Sequence, residues 1–206
     1  MNRLFISLLA LASSGCYALF QPARVELPGK SRFTASVESH NAGSNLTFPF
    51  IDFEIFEVGA DYRIGVGMKT ELGVSAYLNT VALGIGGKTM VTTRDAIDYR
   101  LYYRANEWEA LSFNGDQRAL TPALSWIRNF PNNKFAGVRL QDFNFNHIDL
   151  VATTFAGWEH RWRKLSFIPV VSLGVQQVQV DMDDTAGGPR EGKLMWVLDI
   201  GLGVSF

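Results

Sequence analysis

Two short stretches contain the residue types best suited to catalysis. They are Asp142, His147 and Asp149 in the first stretch, and Asp181, Asp183 and Asp184 in the second. A carboxylate beside an imidazole can activate water, as general acid–base hydrolysis requires. The same acids can instead bind calcium loosely or remain solvated loop residues. The elements that carry the two stretches therefore decide whether they form a site.

A larger set of charged residues alternates with apolar ones. Its five acids and five bases are Glu57, Asp61, Arg63, Lys88, Asp98, Arg100, Arg104, Arg139, Glu159 and Asp199. A β-strand directs successive side chains to opposite faces, so these charges would share one face of a sheet. If that face is enclosed, we expect the opposite charges to pair into a network that plugs the interior. The alternative is a narrow polar passage for small solutes or ions.

Ten segments have the alternation expected of strands. They lie at about 31–40, 51–65, 70–79, 81–91, 97–104, 119–130, 134–142, 148–161, 165–180 and 193–206. If both termini lie at the periplasmic end of a closed sheet, the strands must be even in number and their connections must alternate between short and long. The connections of these ten segments fit this pattern, with one unusually short outer loop at 79–80. Ten strands are favoured, and eight is the main alternative. No run of about twenty apolar residues is present.

Three details refine this strand pattern. The apolar phase changes at Ile55–Phe56, which predicts a β-bulge there. An aromatic girdle is expected beside the short turns, formed by Trp126, Phe130, Trp158, Trp162 and Phe206. The glycines at Gly84, Gly86 and Gly87 fall within a strand, where they indicate close packing rather than a phosphate-binding loop.

The last fourteen residues are the most regular strand of the chain. Large apolar side chains occupy every second position from Leu194 to Phe206, seven in all. This length and pattern suit a tilted strand that crosses a bilayer with one face towards lipid. The sequence therefore predicts an all-β protein, a transmembrane up-and-down antiparallel β-barrel.

The same strand ends in a sorting pattern. Asp199, Gly201, Val204 and Phe206 follow the order polar-x-Gly-x-x-apolar-x-apolar. This pattern resembles the C-terminal assembly signal of small bacterial outer-membrane β-barrel proteins. The resemblance implies a Gram-negative bacterial outer membrane as the location, outer-membrane lipid as the surroundings, and recognition by a barrel-assembly machinery during biogenesis.

The first thirty residues differ from the rest. Arg3 followed by the apolar run 4–12 predicts a signal peptide at 1–15. Residues 16–30 are expected to be an extended periplasmic leader, and 31–206 to be the barrel.

Cys16 is the only cysteine of the chain. The Ser-Ser-Gly-Cys run that ends at Cys16 resembles the lipobox of bacterial lipoproteins, which implies a lipid anchor, although Ser13 stands where that family usually has an apolar residue. Ordinary cleavage after Ala12 or Ala18 is the alternative.

The charge composition narrows the range of possible functions. The net charge of −1 shows no basic excess for nucleic acid. We expect a monomer without cofactor, metal or catalytic residues, with a structural or surface-interaction role. A narrow passive channel is the first alternative. The second is an outer-rim hydrolase that uses His147 with nearby Asp residues, similar only in residue types to the omptin proteases, whose spacing and order differ.

Overall fold

The computed structural model describes residues 21–43, 55–78, 81–105, 118–142, 150–181 and 190–206. Several sequence predictions fall outside this part of the chain, namely the signal peptide at 1–15, Cys16, His147, Asp149, Asp183 and Asp184. Within it, no helix is long and apolar enough to cross a membrane.

The described residues form eleven strands. They are β1 (Ser31–Gly43), β2 (Ile55–Gly67), β3 (Thr70–Tyr77), β4 (Ala82–Met90), β5 (Asp95–Ala105), β6 (Arg118–Phe130), β7 (Lys134–Asp142), β8 (Leu150–Trp158), β9 (His160–Trp162), β10 (Leu165–Asp181) and β11 (Arg190–Ser205). Strands β8 and β9 both pair with β10 and are separated only by Glu159. They occupy one position in the sheet, so the strands described fill ten positions.

The sheet closes on itself. Each strand runs antiparallel to its neighbours, and β1 pairs with both β2 and β11. The closing register runs from Thr34 opposite Ser205 to Gly43 opposite Trp196. Closure gives every strand a hydrogen-bonding partner on both sides, which a sheet in lipid requires. The predicted barrel of ten strands is confirmed, and the count of eight is wrong.

The two ends of the barrel are different. Short turns at 68–69, 91–94, 131–133 and 163–164 lie at the end that carries Ser31 and Phe206, which we call the terminal end. The opposite end is the loop end, where four of the five connections are longer and the β3–β4 connection, residues 78–81, is short. Asn132, Asn133 and Arg163 adopt positive φ angles of 61°, 57° and 56°. This left-handed backbone allows the tight reversals between neighbouring strands.

The outer face of the barrel is apolar. On β3, Leu72 and Val74 are 45% and 55% exposed, and on β11 Ile200 and Leu202 are 41% and 46% exposed. The aromatic residues expected at the rim are all exposed, namely Trp126, Phe130, Trp158, Trp162 and Phe206. An apolar band that surrounds a closed barrel and ends in an aromatic girdle is the surface of a membrane-spanning barrel.

The predicted β-bulge is not at its expected place. Strand β2 pairs with β1 without interruption from Ile55 to Ile64. The irregularity lies at the other end of β2, where the register with β3 shifts between Gly65 and Gly67. There, the N-terminal segment pairs with β2, because Gly29 N–H donates to Gly65 O at 2.9 Å and Gly65 N–H donates to Lys30 O at 2.9 Å.

Candidate functional site in the barrel lumen

The alternating charged residues line the barrel interior, which we call the lumen. Eight of the ten predicted network residues are buried, namely Glu57, Arg63, Lys88, Asp98, Arg100, Arg139, Glu159 and Asp199. Asp61 is half-buried, and the side chain of Arg104 lies outside the described structure. The buried residues face inward, and their exposed neighbours along each strand face outward, because successive side chains of a strand point to opposite faces.

Four of these residues form a closed ring of ion pairs, which we call the central cluster (Asp61, Arg63, Asp98 and Arg100). Arg63 Nε lies 2.8 Å from Asp61 Oδ1, and Arg63 Nη2 lies 3.0 Å from Asp98 Oδ2. Arg100 Nη1 lies 2.8 Å from Asp61 Oδ2, and Arg100 Nε lies 2.8 Å from Asp98 Oδ1. Each guanidinium thus binds both carboxylates, and the four charges cancel.

The central cluster continues towards the terminal end through Lys88 and Glu71. Lys88 Nζ lies 2.9 Å from Glu71 Oε1, and Arg63 Nη1 lies 3.9 Å from the same oxygen. Glu71 is fully buried, although it was not among the ten predicted network residues. The alternation of β3 could have identified it, because Glu71 lies on the face opposite to the exposed Leu72 and Val74.

Towards the loop end, the lumen is polar but less completely paired. Arg139 Nη2 donates to Tyr102 Oη at 3.1 Å, and Arg100 Nη1 donates to the same oxygen at 3.3 Å. Arg139 Nε and Nη1, both amide atoms of Gln141 and the hydroxyl of Thr121 have no hydrogen-bond partner in the structure as described. This half of the lumen therefore retains donors and acceptors for a bound molecule or for water.

Asp199 belongs both to the sorting pattern and to the lumen. Ser172 Oγ donates to Asp199 Oδ2 at 2.6 Å, across the β10–β11 pair. Gly201 is buried on the same face as Asp199, whereas Phe206 is exposed at the terminal end. The rings of Phe206 and Phe33 lie 5.3 Å apart. Recognition of this strand by an assembly machinery stays a prediction.

The N-terminal segment enters the lumen, which the sequence did not predict. We call residues 21–30 the inner strap. Gln21 Nε2 donates to Asp61 Oδ1 at 3.0 Å, and Lys88 Nζ donates to Gln21 Oε1 at 3.2 Å and to Pro22 O at 3.0 Å. Gln21, Pro22 and Ala23 are all buried. Residues 21–23 of the predicted leader therefore lie inside the barrel, whereas residues 27–30 are exposed.

Further contacts attach the strap across the mouth of the barrel. Ala23 N–H donates to Asn129 Oδ1 at 2.9 Å, and Glu26 N–H donates to Glu71 Oε2 at 2.8 Å. Arg24 forms an ion pair with the buried Glu159. Glu159, which separates β8 from β9, is thus held from the inside of the barrel.

Little space remains between the strap and the central cluster. A void of about 10 Å³ is lined by Gln21, Thr34, Asp61, Tyr77 and Arg100, among others. A void of this size has room for about one water molecule.

The catalytic residues considered for a hydrolase remain largely outside the described structure. Asp142 and Asp181 end β7 and β10. The other four candidates fall outside the described residues, namely His147, Asp149, Asp183 and Asp184. Among the residues that are described, no group of three or more His, Cys, Asp or Glu side chains is arranged to hold a metal ion.

Comparisons with known proteins complete the description. No protein-family model and no curated protein matches the chain. Among solved structures, a mutant of Rh. blastica porin is 11% identical with a TM-score of 0.32, and the similarity covers 73% of this chain and 55% of that one. A structure described as "Asymmetric conductivity of engineered proteins" is 10% identical over the same shares, also with a TM-score of 0.32. The chain thus spans about half the length of these two proteins.

Proposed function

We propose that this protein is a non-enzymatic barrel of the bacterial outer membrane with a lumen closed to solutes and a structural or surface-interaction role. The observation that supports the proposal is that the charges of the central cluster pair with one another inside the barrel and are joined by hydrogen bonds to the inner strap. Contacts with other molecules would then be made at the loop end, where the long connections lie.

The ion pairs oppose passage through the lumen. An ion that crossed the central cluster would have to displace Arg63 or Arg100 from two carboxylates at once. Breaking a buried pair on one side leaves an uncompensated charge, which costs about 3–5 kcal/mol. The strap lies on the terminal side of the cluster and is attached to it by the hydrogen bond from Gln21 to Asp61, so strap and cluster would have to move together.

The location follows from the terminal pattern and the predicted export signal. Asp199, Gly201, Val204 and Phe206 would direct assembly into the outer membrane, with the terminal end towards the periplasm. Cys16 would carry a lipid anchor after removal of residues 1–15. The intact mass of the mature protein tests this anchor, because cleavage after Ala12 or Ala18 leaves an unmodified chain of a different mass.

Single-channel recording in a planar bilayer tests the closed lumen. We expect no discrete conductance steps from the wild-type protein. We expect steps after alanine replaces all four members of the central cluster, because this removes two positive and two negative charges and opens the polar interior. The matched control replaces Asp95 and Arg128, a charge-neutral pair at the terminal end whose Oδ1 and Nε atoms are 2.8 Å apart. Steps from the wild type would contradict the proposal.

A narrow passive channel is the second candidate. The unpartnered groups of Arg139, Gln141 and Thr121 favour it, because they provide a polar path through the loop-end half of the lumen. In that case the wild-type protein conducts, and Arg139→Gln lowers its preference for anions over cations.

A further inference from the structure

A groove opens at the terminal end beside the inner strap. Its volume is about 370 Å³, and it lies between the strap, the start of β1, the β9–β10 turn and the C-terminal residue. Five cationic side chains line it, namely Arg24, Arg32, Arg161, Arg163 and Lys164. Only two acids, Glu26 and Glu159, are among its lining residues.

Both acids are already engaged. Glu159 pairs with Arg24 and lies 3.4 Å from Arg161 Nε, and Glu26 pairs with Arg32. Arg163 and Lys164 are exposed and form no ion pair with a described residue. The groove therefore has an excess of positive charge that the described protein does not neutralise.

Arg32 gives the groove a buried cation. The residue is only 6% exposed, and its Nη1 atom has no hydrogen-bond partner. A buried guanidinium with an unused donor is suited to an anionic oxygen, since guanidinium groups bind phosphate and carboxylate strongly. Exposed lysines alone would provide only a diffuse attraction.

The groove also has an apolar side that meets the lipid-facing surface. Leu27 and Phe206 line it and are each 60% exposed, and Leu165 lines it between them and the turn. Trp162, which is 56% exposed, belongs to the aromatic girdle beside the same turn. The groove thus lies at the level where lipid headgroups meet the barrel.

The other turns of the terminal end also carry exposed positive charges. Lys69, Arg94 and Lys134 are exposed in or next to three further short turns, and Lys30 is exposed at the end of the strap. Anionic lipid is attracted by such clusters of basic residues next to a membrane. The wide positive field would concentrate the ligand, and the groove would bind it.

We propose that this groove binds the phosphate headgroup of an anionic phospholipid from the adjacent leaflet. The phosphate oxygens would meet Arg32, Arg163 and Lys164, and the acyl chains would follow the apolar wall past Phe206. This inference does not depend on whether the lumen conducts.

The test uses the full mature protein and phosphatidylglycerol as the probe. Native mass spectrometry in detergent measures its binding to the wild type, to the double variant Arg163→Gln/Lys164→Gln and to the control Lys69→Gln/Arg94→Gln. Both variants remove two exposed cations from the terminal end, but only the first changes the groove. We expect the groove variant to bind on the order of tenfold more weakly and the control to bind as the wild type does.

Three results would overturn the proposal. An equal loss of phosphatidylglycerol binding in both variants would mean that only the overall charge of the terminal end matters. Equal binding of phosphatidylcholine to the wild type would mean that no anionic headgroup is selected. Competition by inorganic phosphate at the same concentration as the lipid would assign the groove to a soluble anion.

Discussion

At the scale of single residues, alternation separates the lipid face from the lumen. Asp98 and Arg100 are buried, and the intervening Tyr99 is 41% exposed. The same rule should have included Arg32, Glu38 and Glu71, which are buried on their strands. The pairs of Arg63 with Asp98 and of Arg100 with Asp61 could not be predicted, because they join β2 to β5, which are not adjacent in the sheet.

Leu202 tests the lipid face at this scale. It lies between the exposed aromatic residues Trp196 and Phe206, close to the middle of the apolar band of β11. Leu202→Arg places a charge in hydrocarbon and should lower the free energy of unfolding by about 2–4 kcal/mol. Urea titration of protein folded into lipid vesicles, followed by tryptophan fluorescence, measures the change.

The control for this prediction is Leu202→Ala, which keeps the position apolar and should cost less. Equal losses from the alanine and arginine substitutions would mean that Leu202 does not face lipid.

At the scale of elements, the ten strands were predictable because each encodes its two faces locally. The segment predicted at 119–130 is found as Arg118–Phe130, and the segment at 134–142 as Lys134–Asp142. The inner strap was not predictable, because residues 21–30 have no alternation. Its position depends on hydrogen bonds to Asp61, Lys88 and Asn129, which only the folded barrel brings together.

Strand β4 provides a prediction at the element scale. A Cβ atom on Gly86 would lie 2.2 Å from Tyr99 O and 2.9 Å from Arg100 Cα, both backbone atoms of β5. Gly86→Ala should therefore force β4 and β5 apart and destabilise the barrel by about 1–3 kcal/mol, as overpacking typically does. Thermal unfolding in detergent, followed by circular dichroism of the strands, measures the loss.

Gly67→Ala is the matched control, since its nearest neighbour outside the adjacent residues would be Thr70 Cβ at 4.0 Å. If Gly86→Ala were as stable as this control, the close approach of β4 and β5 would be wrong.

At the scale of the whole molecule, closure joins the first described strand to the last. Residues far apart in sequence become direct partners, as Val37 and Leu202 do across β1 and β11. Without this pairing, both strands would expose unpaired backbone groups to lipid, which costs several kcal/mol for each group. The membrane-spanning fold therefore depends on the β1–β11 contact.

A disulfide can report this closure. Partners in an antiparallel pair have Cα atoms about 4.5–5.5 Å apart, within the range that a disulfide spans. In a Cys16→Ala background, Val37→Cys with Leu202→Cys should cross-link on oxidation, and the product should migrate differently on a non-reducing gel.

The control pairs Val37→Cys with Leu173→Cys, which lies on β10, two strands from β1. The Cα atoms of this second pair are about 10 Å or more apart, so the two cysteines should not cross-link. Efficient cross-linking of this second pair, or none of the first, would contradict the closing register.

The sequence by itself determined the all-β class, the ten strands and the lipid-facing side of each. These properties follow from period-two alternation and turn residues, which act over a few neighbouring positions. Only the tertiary structure decided the ion pairs of the central cluster, the entry of the inner strap into the lumen and the basic groove around Arg32. These features bring together residues from distant strands, so they depend on register and closure, which no local pattern specifies.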